Sequence, residues 1–314
     1  MRLEGIHHIT AITGDAPANL EFYAGVLGLR LVKKTVNQDD PTVYHLFYAD
    51  ERGSPGADLT FFEYPGVHRG EAGAGMVYRI TWRVASTLAL DFWQKRLRRH
   101  GVDNERVGDR LRFTDPEGLD LELAVNKTAD PPLLADHPEV PAELALQGFD
   151  GARAYSALPE RSRSFLEVTL GFRGLGGDGF ELRGAARGSQ FVYDQTGRRG
   201  MQGAGTVHHI AWASPIDEHA AWRQRVADGG GSPTPVIDRF YFRSIYFREP
   251  SGVLFEIATI GPGFAADEDL AHLGERLSLP PAFEHLRDRL ETILTPLPDP
   301  WAARTAPSAT GEGS

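Results

Sequence analysis

The sequence predicts an α+β protein: four βαβββ modules paired into two curved mixed-sheet barrels, plus C-terminal helices. Three observations carry this expectation. Val77-Tyr78-Arg79-Ile80-Thr81-Trp82 aligns position for position with Val207-His208-His209-Ile210-Ala211-Trp212. Asp115-Pro116-Glu117-Gly118-Leu119-Asp120-Leu121-Glu122-Leu123 aligns in the same way with Glu249-Pro250-Ser251-Gly252-Val253-Leu254-Phe255-Glu256-Ile257. A His-His doublet inside an apolar run also occurs twice, in Gly5-Ile6-His7-His8-Ile9-Thr10 and Thr206-Val207-His208-His209-Ile210-Ala211. Repeats of one supersecondary unit pair up, because each sheet needs a partner to cover its apolar face.

Module one spans residues 1–72. Its first strand leads to a helix over 16–27 that Gly28 ends, followed by strands at 29–35, 42–49 and 58–64. Module two, 73–145, has an amphipathic helix over 86–100 and a strand at 110–114. Module three, 146–203, opens at Gly151-Ala152-Arg153, carries a helix near 160–169 ended by Gly171, and continues through strands at 179–183 and 189–194. Module four, 204–260, holds a helix over 216–228 and a strand at 243–248. Grouped along the chain, modules one and two form a domain at 1–145, and modules three and four a second at 146–260. Residues 261–314 are an extension, helical over 267–277 and 281–294, with a tail from Pro296 expected to be disordered. The Gly-rich stretch 66–75 reads as a flexible connection in preference to a lid.

Bulk properties narrow the function. The chain has 314 residues, 41% hydrophobic and 24% charged, as in soluble globular proteins. A net charge of −10 argues against nucleic acid as a partner. No apolar stretch approaches the ~20 residues of a membrane span. The N-terminus runs directly into the first strand and leaves no room for a signal peptide, so the cytoplasm is the expected compartment. Cysteine is absent, so a metal here must be held by His and carboxylate.

Two histidines and one glutamate on strands are the donors of a 2-His-1-carboxylate site. Neighbours in a strand face opposite ways. His7 and His8 therefore cannot both face one metal, nor can His208 and His209, and parity alone does not choose between them. The repeat speaks to the rest. Aligned with His8 and His209, module two has Arg79 and module three Gly151; aligned with Glu256, module two has Glu122 and module one Thr60. If modules one and four pair, His8, His209, Glu256 and the non-ligand Thr60 meet. If modules two and three pair, the equivalent place holds Arg79, Gly151 and Glu122, which cannot complete a metal site; Glu122 is expected to be half of an ion pair.

These residues carry a resemblance. The four modules with HHIT, VHHI and GVLFEI resemble the vicinal oxygen chelate superfamily, which includes glyoxalase I, bleomycin-resistance proteins and type I extradiol dioxygenases. Within it the chain is most similar to the ring-cleaving hydroquinone dioxygenases. Tyr44-His45-Leu46-Phe47-Tyr48-Ala49-Asp50, the Gly53-Ser54-Pro55-Gly56 turn and Asp238–Phe247 share in the likeness. The resemblance implies Fe(II), in preference to Mn(II), on His8, His209 and Glu256, which settles the parity question. It places His7, His208, Arg239 and Tyr246 around the ligands, with a small aromatic substrate and O2 as partners and the oligomeric state open. The competing readings are a glyoxalase-type isomerase or lyase, against which Thr60 at the fourth position speaks, and a metal-free aromatic-binding resistance protein, which needs no such triad.

Overall fold

A computed structural model describes residues 1–299. Each module contributes four strands. Module one supplies β1 (Ile6–Thr13), β2 (Arg30–Asn37), β3 (Asp40–Ala49) and β4 (Asp58–Glu63). Module two supplies β5 (Met76–Val84), β6 (Asn104–Val107), β7 (Arg110–Thr114) and β8 (Asp120–Val125). Module three supplies β9 (Phe149–Ser156), β10 (Arg173–Gly176), β11 (Gly179–Arg183) and β12 (Gly188–Gln195). Module four supplies β13 (Val207–Ser214), β14 (Ile237–Asp238), β15 (Arg243–Arg248) and β16 (Leu254–Thr259).

The strands form two eight-stranded mixed sheets, ordered β14-β15-β16-β13-β1-β4-β3-β2 and β10-β11-β12-β9-β5-β8-β7-β6. Modules one and four therefore share one sheet, and modules two and three share the other. Each sheet draws on both 1–145 and 146–260, joined by antiparallel pairs at its centre: β1 with β13, and β5 with β9. The central strands are apolar on the face turned away from the site, where Trp82, Trp212, Phe149 and Phe255 are fully buried. That burial makes the module junctions part of one core rather than a seam.

Local chemistry sets the helices. Asp15 caps α1 (Ala16–Leu20) through the Ala18 amide at 3.0 Å, and Ser86 caps α2 (Thr87–Arg99) through the Ala89 amide at 3.3 Å. The helices of modules one and three start as α-turns and widen into π-turns at Glu21–Val26 and Phe165–Leu170. Gly28 and Gly171 follow them at φ of 70° and 81°, a region glycine enters without a Cβ penalty.

Two expectations change. Residues 267–277 do not form one helix: they hold a single 3-10 turn at Leu270–His272 and then dock along β2. Ser278 donates to the Lys34 carbonyl at 2.8 Å, and Gly274 approaches the Leu31 carbonyl so closely that a Cβ would lie 2.0 Å from it. The pairing satisfies backbone groups at the edge of β2, which an amphipathic helix would have left open. Residues 281–294 are helical, as a 3-10 turn at Pro281–Leu286 followed by Arg287–Ile293. The expectation of a disordered tail falls mainly on residues 300–314, outside those described.

The stretch 66–75 is neither a free loop nor a lid. It is zipped to the connection between modules three and four by bridges Arg69–Ala204, Glu71–Met201 and Ala74–Arg199. Gly73 and Gly200 let the two backbones touch, since a Cβ on Gly73 would sit 2.2 Å from the Gly200 nitrogen.

Candidate metal centre

The β1–β13 pair places the histidines. Between Ile6 and Ile9, β1 advances three residues while β13 advances two; between Thr10 and Ala11, β13 advances two while β1 advances one. Each His-His doublet thus sits on a β-bulge, which suspends strict alternation and re-aims side chains. As a result His7 and His8 both pack on Phe242, with ring centroids 5.2 Å away in each case. His208 and His209 both face Phe62, at 5.6 and 6.5 Å. The expectation that the two rings of a doublet point to opposite faces does not hold here, because alternation assumes an unbulged ladder.

His8, His209 and Glu256 converge on one point. The His8 and His209 Nε2 atoms lie 3.2 and 2.9 Å from Glu256 Oε2 and 3.3 Å from each other. These edges suit three donors sharing one divalent cation at bond lengths of ~2.0–2.2 Å. All three residues are buried, and Glu256 is fully so.

The doublets explain what these atoms offer. The Thr259 carbonyl can only accept, so His7 Nε2, 3.2 Å away, carries a proton and donates it. His7 Nδ1 is then an acceptor, and His8 Nδ1 donates to it at 2.9 Å. The His8 Nε2 lone pair is left facing Glu256. The His208 and His209 Nδ1 atoms meet in the same way at 2.8 Å. Apart from the two imidazoles, no side chain or backbone group among the described residues hydrogen-bonds either Glu256 oxygen. With His209 Nδ1 as the donor of its bond to His208, lone pairs of two imidazoles and one carboxylate face one another, an arrangement that a cation resolves. The residues fit a metal ion.

The electrostatics agree. Burial alone would raise the Glu256 carboxyl, but the adjoining His8 and His209 hold it well below the usual carboxylate range. Burial, reinforced by His8, lowers His7 to about 3; burial with His209 lowers His208 to about 3. Burial also lowers His209. For His209 and Glu256 these shifts favour a neutral imidazole and an ionised carboxylate, the states that metal binding requires.

Above the triad lies a pocket with an empty volume of about 430 Å³, its mouth included. One wall comes from module four. Tyr246 on β15 pairs with Glu256 across the ladder, and its ring meets the His209 ring at 5.6 Å. Arg239 lies 5.4 Å from the centre of the Tyr246 ring and makes a two-pronged ion pair with Asp39 at 2.9 and 2.8 Å. Burial and the nearby Glu256 charge push the Tyr246 phenol up, so it stays protonated at neutral pH. Arg239 enters the pocket beside a strained residue, Phe240, whose φ is 69°, held by a bond from its amide to Asp238 at 2.8 Å.

The other wall comes from module one, and sequence reasoning missed its polar member. His45 lies between Phe47 and Phe62, with centroids at 3.9 and 4.4 Å. Its Nε2 is 2.9 Å from Thr60 Oγ1. The signal was present: His45 and Phe47 have the parity of one strand face in the string Tyr44–Asp50. Phe242 and Asp39 were also not singled out.

Thr60 holds the place that the repeat assigned it. The parallel pairs Thr10–Thr60, Ala211–Glu256 and Thr81–Glu122 occupy the same station in modules one, four and two. In the second sheet Glu122 is bound by Arg112 at 2.8 Å, by Arg110, and by Thr81 at 3.2 Å, with Arg79 at 4.0 Å. The ion-pair expectation for Glu122 is what the structure shows.

This fold and donor set define a class. The family model "Glyoxalase/Bleomycin resistance protein/Dioxygenase superfamily" matches residues 5–123 and 152–257, and the chain belongs to that superfamily. Among curated proteins the chain is similar to "Putative ring-cleaving dioxygenase MhqO" of Bacillus subtilis (strain 168), with 43% identity over 93% of this chain and 96% of the relative. It is also 35% identical, over 92% of this chain and 95% of the relative, to the "Chlorohydroquinone/hydroquinone 1,2-dioxygenase" of Sphingobium indicum. A crystal structure of a protein from Bacillus subtilis subsp. subtilis str. 168 superposes with a TM-score of 0.88 at 42% identity, covering 95% of this chain and 98% of that one. No helix among the described residues is long and apolar enough to cross a membrane.

Proposed function

We propose that the chain is an Fe(II)-dependent, extradiol-type ring-cleaving dioxygenase acting on hydroquinone-type aromatics, with catechols as a second candidate class. The observation that carries this reading is the convergence of three metal-donor atoms, from His8, His209 and Glu256, at the floor of an aromatic-walled pocket. Relatives named as dioxygenases support it, one as ring-cleaving and another as acting on chlorohydroquinone and hydroquinone. When bound, Fe(II) supplies Lewis-acid activation of a phenol and one-electron chemistry with O2. Three protein donors leave coordination positions open for both reactants. A fourth ligand, as Lewis-acid isomerisation would favour, has no support from Thr60, whose hydroxyl is committed to Thr10 at 2.8 Å and to His45.

The side chains divide the remaining work. Phe47, Phe62 and Phe242 line the pocket and hold a flat ring while excluding water. Arg239, charged and anchored by Asp39, stabilises negative charge on the substrate oxygen as its proton leaves. Tyr246 donates its phenolic proton toward the same oxygen or its neighbour. His208 differs from His7 in having no carbonyl partner for Nε2 among the described residues, so its tautomer is not fixed from that side.

The test is anaerobic loading with Fe(II), followed by oxygen uptake with substituted hydroquinones and catechols. The expected result is one O2 consumed per ring opened, with both oxygen atoms entering the product. Uptake that is independent of Fe(II), or none with any of these phenols, would contradict the reading.

A further inference from the structure

Granting the ring-cleaving reading of the site, we propose that His45 determines specificity by accepting, at Nδ1, a hydrogen bond from a second ring hydroxyl remote from the metal centre. The inference begins with a proton count. Thr60 Oγ1 donates to Thr10 Oγ1 at 2.8 Å. A hydroxyl has one proton, so toward His45 the same oxygen can only accept. His45 Nε2, 2.9 Å away, therefore carries the hydrogen, and Nδ1 keeps its lone pair.

That lone pair is available. Nδ1 has no hydrogen-bond partner among the described residues, and it is not among the buried unpartnered atoms, so it opens into the pocket that His45 lines. Burial drives the imidazole well below its ordinary value, so the ring stays neutral and remains an acceptor near pH 7.

The two walls then ask for two different oxygens. Arg239 and Tyr246 on the module-four wall are donors, suited to an oxygen that gives up its proton. His45 on the module-one wall is an acceptor, suited to a hydroxyl that keeps its own. One ring bridging both walls must carry two oxygens, of which the distal one needs its hydrogen. Thr60 links this to the repeat. At the station where module four places Glu256, module one places a hydroxyl that fixes the tautomer of a substrate-facing histidine.

The experiment compares hydroquinone with 4-methoxyphenol, in which a methyl ether removes the distal donor. The readouts are kcat/KM by oxygen uptake and, separately, anaerobic calorimetric binding to Fe(II)-loaded protein. The wild type should prefer hydroquinone by about ten-fold or more in both, the scale of a neutral hydrogen bond whose loss leaves an acceptor unpaired. His45→Phe, which keeps the stacking on Phe47 and Phe62, should bring the ratio close to one mainly by weakening hydroquinone. Thr60→Val, which frees the tautomer, should reduce the ratio part of the way, and it carries the test if His45→Phe does not fold. His45→Asn, which restores an acceptor near the Nδ1 position, should recover part of the preference. An unchanged ratio in folded His45→Phe, or in Thr60→Val where the first variant is lost, would overturn the proposal. If the wild type takes up no oxygen with either phenol, the ring-cleaving reading falls, and the anaerobic binding ratio still decides the role of His45.

Discussion

The two sheets share one topology, yet the same three stations hold opposite chemistry. In the sheet of modules one and four, His8, His209 and Glu256 leave a space between lone pairs. In the sheet of modules two and three, the corresponding Arg79, Gly151 and Glu122 leave no such space, because Arg110 and Arg112 already neutralise the carboxylate. A buried glutamate at the same register is therefore not a ligand by position alone. What decides is whether its neighbours bring protons or lone pairs.

The largest expected contrast is between ligand and counterpart. His209→Ala should abolish iron retention and reduce ring cleavage well beyond the ~10–100-fold that loss of an outer partner costs. Glu122→Gln should leave iron content and turnover near wild type. Oxygen uptake together with metal analysis of the two variants checks this.

Stability should invert that order. Glu122→Gln leaves Arg79, Arg110 and Arg112 short of an anion. Discounted for the exposure of the two outer arginines, the cost is about 2 kcal/mol in denaturant unfolding. The Glu122 carboxyl is held below its ordinary value of 4.5: burial would raise it, and Arg112 and Arg110 more than offset this. A depressed folded value means its stabilisation is complete above pH 4.5 and fades as pH falls through the folded value. The gap between Glu122→Gln and wild type should therefore close as pH drops below that point; a gap that widens there would contradict the assignment.

The second site should also resist restoration. At Gly151 a Cβ would lie 2.2 Å from the Gln190 carbonyl oxygen of the neighbouring strand. Arg79→His combined with Gly151→His should consequently lower stability by about 2 kcal/mol or more, the overpacking range, without adding an iron. Iron stoichiometry above one per chain in that variant would show that the difference between the sheets is only side-chain deep.

A smaller effect separates the two doublets within the working site. His7 is anchored to the Thr259 carbonyl, whereas His208 has no such anchor among the described residues. His7→Phe should weaken iron affinity by ~10–100-fold, as expected for an outer partner that fixes a ligand's tautomer. His208→Phe should act more on kcat than on iron retention. Equal losses of iron in both would erase the distinction.

Much of this was legible in the sequence because the repeat writes the same strings at matching stations. The self-alignment of Val77–Trp82 with Val207–Trp212 located the central strands, and Glu122 could be set apart from Glu256 by the arginine aligned with histidine. The bulges were not legible, since a register slip belongs to the pairing of β1 with β13, strands about two hundred residues apart. His45 was overlooked for a related reason: its role depends on a threonine of β4 and a threonine of β1, and neither contact leaves a mark in the local string. The stretch 267–277 reads as a helix by its spacing, but the open edge of β2 offers its backbone a better partner.

The most direct test counts iron atoms per chain after anaerobic Fe(II) loading and removal of excess metal, in the wild type, His209→Ala and Glu122→Gln. One, none and one are expected. A second iron in the wild type, or retention of iron at full stoichiometry without His209, would contradict the claim that only the first sheet presents a metal-binding donor set.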